Sequence, residues 1–392
     1  MFPKLLANAL LLATSITTAG ALPGGAPKRP FGTFSDLEIF TPPENYTDPR
    51  VLYARTVLLA EDNVLLGTWE NYSPEPPTVS FPVYRSTDGG ETWAEISRVT
   101  DTVNNWGLRY QPDLFELPIP LGNFPAGTIL CAGNSIPTDL SQTQIDLYAS
   151  LDKGYTWEFV SHIAAGGEAL PNNGLTPVWE PFMMIYQDQL VMYYSDQRDP
   201  AHGQKLVHQV SSDLLTWADP VDDVAYSEYT ARPGMPTVSQ LPDGRYLYTY
   251  EYGGGPGFDG YAFPVHYRIS ADPLDFLNAE DFALVVGAGD GGVTRPTSSP
   301  YNVWMPGPAG GENNENGMIV VSASSHTEVF VNRALGAADA WEIVATEERR
   351  SYTRHLRAMP QEGHLLIMGA GKLPPSTTNV VRVGVMDLGG AL

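Results

Sequence analysis

The chain has 392 residues, with 22 Lys and Arg against 45 Asp and Glu, for a formal net charge of −23. So acidic a surface repels nucleic acid and anionic membranes, whose binding needs clustered cations, and suits a protein acting on neutral material. One cysteine, Cys131, excludes an internal disulfide, and seven scattered histidines without an HExxH pair argue for no metal and no cofactor.

In chain order, residues 1–21 read as a secretory signal. Lys4 supplies the charged start, Leu5–Ile16 the apolar core and Ala19-Gly20-Ala21 a small-residue cleavage site. About twelve apolar residues are too few for a bilayer span of ~20. The remainder, 22–392, is expected outside the cell as one domain and a monomer. Asn45-Tyr46-Thr47 and Asn71-Tyr72-Ser73 are glycosylation sequons, the second followed by Pro74.

Beyond the signal, helical periodicity is absent and short apolar or alternating runs lie between turn residues, the all-β pattern. A turn motif recurs: RSTDGGETW (Arg85–Trp93), ASLDKGYTW (Ala149–Trp157), VSSDLLTW (Val210–Trp217), ISADPLDF (Ile269–Phe276) and the trace ALGAADAW ending at Trp341. The aromatic ends are 64, 60, 59 and 65 residues apart. Six units of four strands over Arg55–Leu388 give a six-bladed β-propeller, because a single blade cannot bury its faces alone. Phe31–Phe40 is an extra strand expected to complete the last blade beside Asn379–Leu388 and close the ring.

The motif resembles the Asp-box of sialidases and related secreted propellers. Ser86, Asp88, Gly90, Thr92 and Trp93 fill every position, as do Ser150, Asp152, Gly154, Thr156 and Trp157. The third copy keeps Ser211, Asp213, Thr216 and Trp217 but lacks the glycine. Asp is expected to accept turn N–H groups, Gly to take a positive φ and Trp to pack between blades, making the motif a staple.

With strand 1 running down, the Asp-box turns and the tight 1–2 turns (Asp62-Asn63, Asp188-Gln189, Asp243-Gly244) fall at the bottom. Strand-1 starts and strand-2 ends then meet at the top around the central funnel, where a propeller site is expected. Strand-1 starts offer Arg55, Tyr110, Glu180, Arg232, Arg295 and Arg354 with His355; strand-2 ends offer Glu70, Asn134, Asp196, Glu251 and His326. Glu180 and Glu251, each beside aromatics on consecutive blades, form a carboxylate pair suited to glycoside hydrolysis. The alternative is that they pair with Arg232, Arg295 and Arg354 in a structural ion network. Glu70 and Asp196 stand in reserve, and Trp106, Trp179, Tyr194 and Tyr252 are candidate subsite walls.

Two family resemblances follow. Arg55–Glu70 is similar to the opening of sialidases, with Arg55 at their arginine position. That resemblance implies a tyrosine, Tyr352, beside a glutamate beneath three arginines drawn from Arg55, Arg232, Arg295 and Arg354. The second covers nearly the whole chain after the signal and is carried by PVWEPFMM, ARPGMPTVSQLPDGRYLYTYEYGG and TRPTSSPYNVWMP. It is to the fungal exo-α-1,5-L-arabinanases of glycoside hydrolase family 93. It implies release of arabinobiose from linear arabinan, with retention, by Glu180 and Glu251. It leans to Glu251 as nucleophile and Glu180 as acid/base, a choice the sequence leaves open. Exo action would need a wall across the funnel, for which loops 70–80 and 251–263 are long enough. A non-catalytic sugar-binding propeller remains the third reading; it does not require Glu180 and Glu251 within glycosidase distance, about 10 Å at most.

Overall fold

The computed structural model describes residues 31–60, 63–287, 292–307 and 316–389; the expected signal segment and Asp62 lie outside these. Among the described residues every regular element is a β-strand. The chain begins with β1 (Phe34–Phe40). Blade one is β2 (Val51–Leu59), β3 (Val64–Asn71), β4 (Phe81–Ser86) and β5 (Ala94–Val99). Blade two is β6 (Leu108–Glu116), β7 (Ile129–Ser135), β8 (Thr143–Ser150) and β9 (Glu158–Gly166). Blade three is β10 (Val178–Tyr186), β11 (Gln189–Asp196), β12 (Lys205–Ser211) and β13 (Val221–Val224). Blade four is β14 (Arg232–Gln240), β15 (Tyr246–Gly253), β16 (Val265–Ser270) and β17 (Asp281–Ala283). A short ribbon of β18 (Val286–Gly287) and β19 (Val293–Thr294), which the repeat gave no sign of, precedes blade five. Blade five is β20 (Tyr301–Met305), β21 (Met318–Ser322), β22 (Val329–Asn332) and β23 (Trp341–Val344). Blade six is β24 (His355–Ala358), β25 (His364–Gly369) and β26 (Val381–Asp387), completed by β1 paired antiparallel to β26.

The innermost strands β2, β6, β10, β14, β20 and β24 each touch the next, and β24 touches β2, so the six sheets form a closed ring. A hydrophobic cluster fills each seam between neighbouring blades. Each fully buried Leu, Val or Phe there contributes about 1.5–3 kcal/mol. At the closing seam Phe40 of β1 stacks on the fully buried Trp69 of blade one, ring centroids 5.4 Å apart. The N-terminal strand thus ties blade six to blade one, as expected, without a disulfide.

The Asp-box turns are built as expected. In the first, Ser86 Oγ and Thr92 N–H both donate to Asp88, at 2.8 and 2.9 Å. Gly90 and Gly154 take φ of 100° and 93°; in the third copy Leu214 takes this left-handed position at 66°. The tryptophans bridge blades: Trp157 Nε1 donates to Ser97 and Trp217 Nε1 to Ser161, each in the preceding blade, at 3.1 and 3.0 Å. The two sequons differ. Asn45 is exposed, whereas Asn71 ends β3 with 3% exposure, which leaves no room for a glycan in the folded chain.

Candidate active site

At the top of each blade, in the inner strand or just before it, a non-glycine residue takes the left-handed region: Tyr53, Gln111, Glu180, Met235, Ser299 and Thr353, with φ between 43° and 63°. In blades one to four this residue opens a β-bulge that shifts the register to strand 2. Bulges of this kind turn backbone and side chains out of the ladder and gather beside active sites. Here the freed N–H groups form a relay between blades. Gln111 N–H donates to Glu70 Oε1 at 2.9 Å, and Glu180 N–H to Gln111 Oε1 at 3.0 Å. Met235 N–H donates to Glu180 Oε2 at 2.6 Å, Ser299 N–H to Glu251 Oε2 at 2.7 Å, and Thr353 N–H to Ser299 Oγ at 3.1 Å.

Three buried glutamates sit on this ring. Glu180, 8% exposed, also accepts from Ser195 Oγ at 2.6 Å; Glu251, 9% exposed, lies one blade on. Gly234, directly opposite Glu251 in the β14–β15 pairing, leaves the gap between them. A Cβ there would stand 3.3 Å from Glu180 Oε2 and 3.6 Å from Glu251 Oε1, so these oxygens are no farther apart than both legs together, about 6.9 Å. Burial, then the charge of Glu180, pushes the Glu251 carboxyl up to about 8. Burial also raises Glu180, against hydrogen bonds from Ser195 and Met235 and the charges of Arg232 and Arg55. Glu70, hydrogen-bonded by Tyr72 OH at 2.7 Å, is pushed by burial to about 7. Carboxyls held at such values hold and release protons near neutral pH, as general acid–base chemistry requires.

Of the other expected residues, Arg55, Arg232 and Tyr352 face these glutamates. Arg55 packs over the rings of Tyr53 and Tyr301, at 4.0 and 5.0 Å, and lies in the field of Glu70 and Glu180. Arg232 feels Glu180 and Glu251, and is held by Gln197, Gln204 and Asn173. Tyr352 feels all three carboxylates and meets Tyr53 edge-on at 6.5 Å. Trp179, 6% exposed, stands behind this layer and donates to Gln197, so it positions Arg232. Trp106 is held through its backbone to Asp101 in the loop ahead of β6.

Three residues, Arg354, Asp196 and Tyr252, are engaged elsewhere. Arg354 is fully buried, its guanidinium donating to the carbonyls of His326, Thr327 and Glu328, so it cannot complete a triad of arginines over a substrate carboxylate. Arg295 rests against Gly257 of the 253–264 loop that also carries Tyr261; a Cβ there would lie 3.1 Å from its Nε. Asp196 is paired with Arg198 at 2.6 Å. Tyr252 stacks on Tyr226, centroids 3.8 Å apart. The last two have one cause. The residue before each bulge pairs with Glu70, Asn134, Ser195 and Glu251 in blades one to four, so the counterpart of Glu251 in blade three is Ser195. Asp196 and Tyr252 are one position farther along and face the other side of their sheets. Of the remaining polar and aromatic positions, Tyr194 is fully buried in the seam of blades two and three, and His355 is buried beside Thr56 at 2.8 Å.

Sequence reasoning missed Gly234, Gln111, Ser195 and Tyr261. Tyr261, on the 253–264 loop, is 55% exposed yet within reach of the charges of Arg232 and Glu251. Its signal was an exposed aromatic in a glycine-rich loop beside Glu251. The bulge residues gave none, since Tyr, Gln, Glu, Met, Ser and Thr share no chemistry.

No family model and no curated protein sequence matches the chain, but solved structures do. The α-L-arabinofuranosidase of Fusarium graminearum superposes with a TM-score of 0.87 and 56% identity, over 92% of this chain and 99% of that one. It has been solved with arabinobiose and, as a glutamate-to-alanine variant, with an iminosugar inhibitor. An α-L-arabinanase of Penicillium chrysogenum complexed with arabinobiose gives 0.87 and 53%, over 92% and 100%. A sialidase of Streptococcus pneumoniae shares the fold, with a TM-score of 0.55 at 10% identity, over 95% and 72%. With more than half its residues identical to the Fusarium enzyme, which is described as a member of glycoside hydrolase family 93, the chain belongs to that family and is a glycoside hydrolase.

Proposed function

We propose that the protein is a secreted exo-α-1,5-L-arabinanase that removes arabinobiose from linear arabinan with retention, using Glu180 and Glu251. The observation that carries this reading is the pair of buried carboxylates flanking Gly234 within about 6.9 Å. Retaining glycosidases set their carboxyls about 5–5.5 Å apart, and inverting ones about 6.5–9.5 Å. The two relatives solved with arabinobiose support the substrate.

Hydrogen bonding favours Glu180 as the nucleophile, the reverse of the leaning drawn from resemblance. Glu180 accepts from Ser195 Oγ and Met235 N–H at 2.6 Å each and lies in the field of two arginines, all of which favour the ionised form. Glu251 keeps its proton to higher pH, so it can protonate the leaving oxygen and then, as carboxylate, activate water. Two features support exo action. Glu75 pins the blade-one loop to Arg109 and Thr138 of blade two, at 3.0 Å each, and the blade-four loop brings Tyr261 over the funnel wall near Glu251.

The test is product analysis on debranched linear arabinan with the wild type, Glu180→Gln and Glu251→Gln. Arabinobiose as the sole early product is expected, with both variants slowed by at least ~10²-fold. On an aryl arabinoside with a good leaving group, azide should rescue Glu251→Gln with a retained azide adduct, and Glu180→Gln with an inverted one. Release of mixed oligomers would overturn the exo reading, and the opposite pattern of adducts the assignment of roles.

A further inference from the structure

A second cavity, of about 370 Å³, opens at the top of blade six. Its size falls within the about 300–1,000 Å³ of small-molecule sites. Its walls carry five of the chain's 22 Lys and Arg residues, Arg349, Arg350, Arg354, Lys372 and Arg382, and one lining carboxylate, Glu348. A chain at −23 has few cations to place, so their concentration in one concave site sets up a local positive field.

Two of the five are neutralised, Arg349 by Asp36 at 2.7 Å and Arg382 by Glu38 at 2.6 Å. The other three form no ion pair with a described residue, though Arg354 lies in the field of Glu348 and Glu328. Arg354 is fully buried, bonds to backbone carbonyls alone, and its Nε has no partner. Arg350 donates to the carbonyl of Ser325 at 3.1 Å and forms no ion pair with a described residue. Lys372 likewise has none, while its backbone is clamped by Asn379, which accepts its N–H at 3.0 Å and donates to its C=O at 2.7 Å. Glu348 is engaged by the N–H of Asp36 at 2.8 Å.

The cavity shares a wall with the catalytic funnel. Ser351 and Gly371 line it; between them Tyr352 donates its N–H to Gly371 O at 2.7 Å and turns its ring toward the glutamates. A neutral arabinose chain offers these cations no partner. We propose that the cavity is an anion subsite for a uronic-acid unit, a sugar bearing a carboxylate, on the same polysaccharide as the neutral chain cleaved in the funnel. The link to that chain rests on the function proposed above; binding of the acidic sugar does not. A carboxylate suits a guanidinium and an ammonium converging on one volume, and sugar hydroxyls can meet Ser351 and Thr378.

The test is calorimetric titration of the full chain at low ionic strength with digalacturonate, arabinobiose and inorganic phosphate as separate probes. It is repeated for Arg350→Glu/Lys372→Glu and the milder Lys372→Met. Digalacturonate is expected to bind, to weaken as salt is raised, and to lose at least ~10-fold in affinity in the charge-reversed variant, with a smaller loss in Lys372→Met. Hydrolysis of neutral linear arabinan should be unchanged in both variants. Absence of digalacturonate binding, or equal binding by wild type and variants, would overturn the proposal. Phosphate binding as tight as digalacturonate would overturn its sugar part. Failure of the wild type to cleave arabinan would instead overturn the function proposed above and leave the binding result standing.

Discussion

At the bottom of blade three, Asp213 accepts the N–H of Thr216 and of Leu215 and the hydroxyl of Thr216, each at 2.8 Å and all within three residues along the chain. At the top of the same blade, Glu180 accepts from Ser195 and from Met235 N–H, 15 and 55 residues away. Glu180 itself takes a left-handed φ of 63°, and Asp213 precedes Leu214, which does so at 66°. Backbone N–H groups of Thr216 and Leu215 hold Asp213 down to about 2, so it is ionised at any working pH. Burial lifts Glu180 and takes Glu251 to about 8. A carboxylate satisfied by its own turn stabilises the fold and does no chemistry. One that takes a donor from the next blade, as Glu180 does from Met235, depends on ring closure to be buried, and that burial makes its proton available.

Gly234→Ala should separate the two regions most sharply. The new methyl would lie 2.9 Å from Gln204 Nε2 and between the oxygens of Glu180 and Glu251. Displacements of this order are expected to lower kcat on arabinan by ~10²-fold, with a stability loss of about 1–3 kcal/mol from overpacking. Steady-state kinetics beside thermal melts check this; an unchanged kcat would show that the gap is not where the sugar reacts. Asp152→Ala acts on the other region. Losing bonds to Ser150, Tyr155 and Thr156 should cost about 1–3 kcal/mol, lower Tm and leave kcat/KM unchanged. A fall in kcat/KM there would mean that the two faces are coupled.

A third contrast lies in the pH dependence of stability. Glu251 has its carboxyl raised from 4.5 to about 8 in the folded chain. Between these values the native state holds a proton that the unfolded chain has released, so its contribution is complete below the unfolded value and lost as pH rises through about 8. Glu70, at about 7, adds in the same sense, whereas Asp213 stays ionised across this window and adds no slope. Melting temperature should therefore fall from pH 5 to pH 8, and fall less in Glu251→Gln. Parallel profiles would show that the burial of Glu251 is not linked to folding.

The sequence alone determined the ring and its staples. An Asp-box closes its bonds within a few residues and recurs about every sixty, so both turn and repeat can be read along the chain, as can the closing strand, expected at Phe31–Phe40 and formed by Phe34–Phe40. Glu180 and Glu251 were legible as a pair because each falls at a strand end beside aromatics. Tertiary structure decided the rest. The bulges at Gln111, Glu180 and Met235 shift the pairing by an amount no residue type announces, which puts Ser195 where Asp196 was expected and turns Tyr252 away. Arg354 was expected over substrate and instead seals blade five to blade six, because its partners are carbonyls 26 to 28 residues earlier. Local hydrogen bonds leave their pattern in the sequence; contacts between blades depend on register and closure, which exist once the ring has formed.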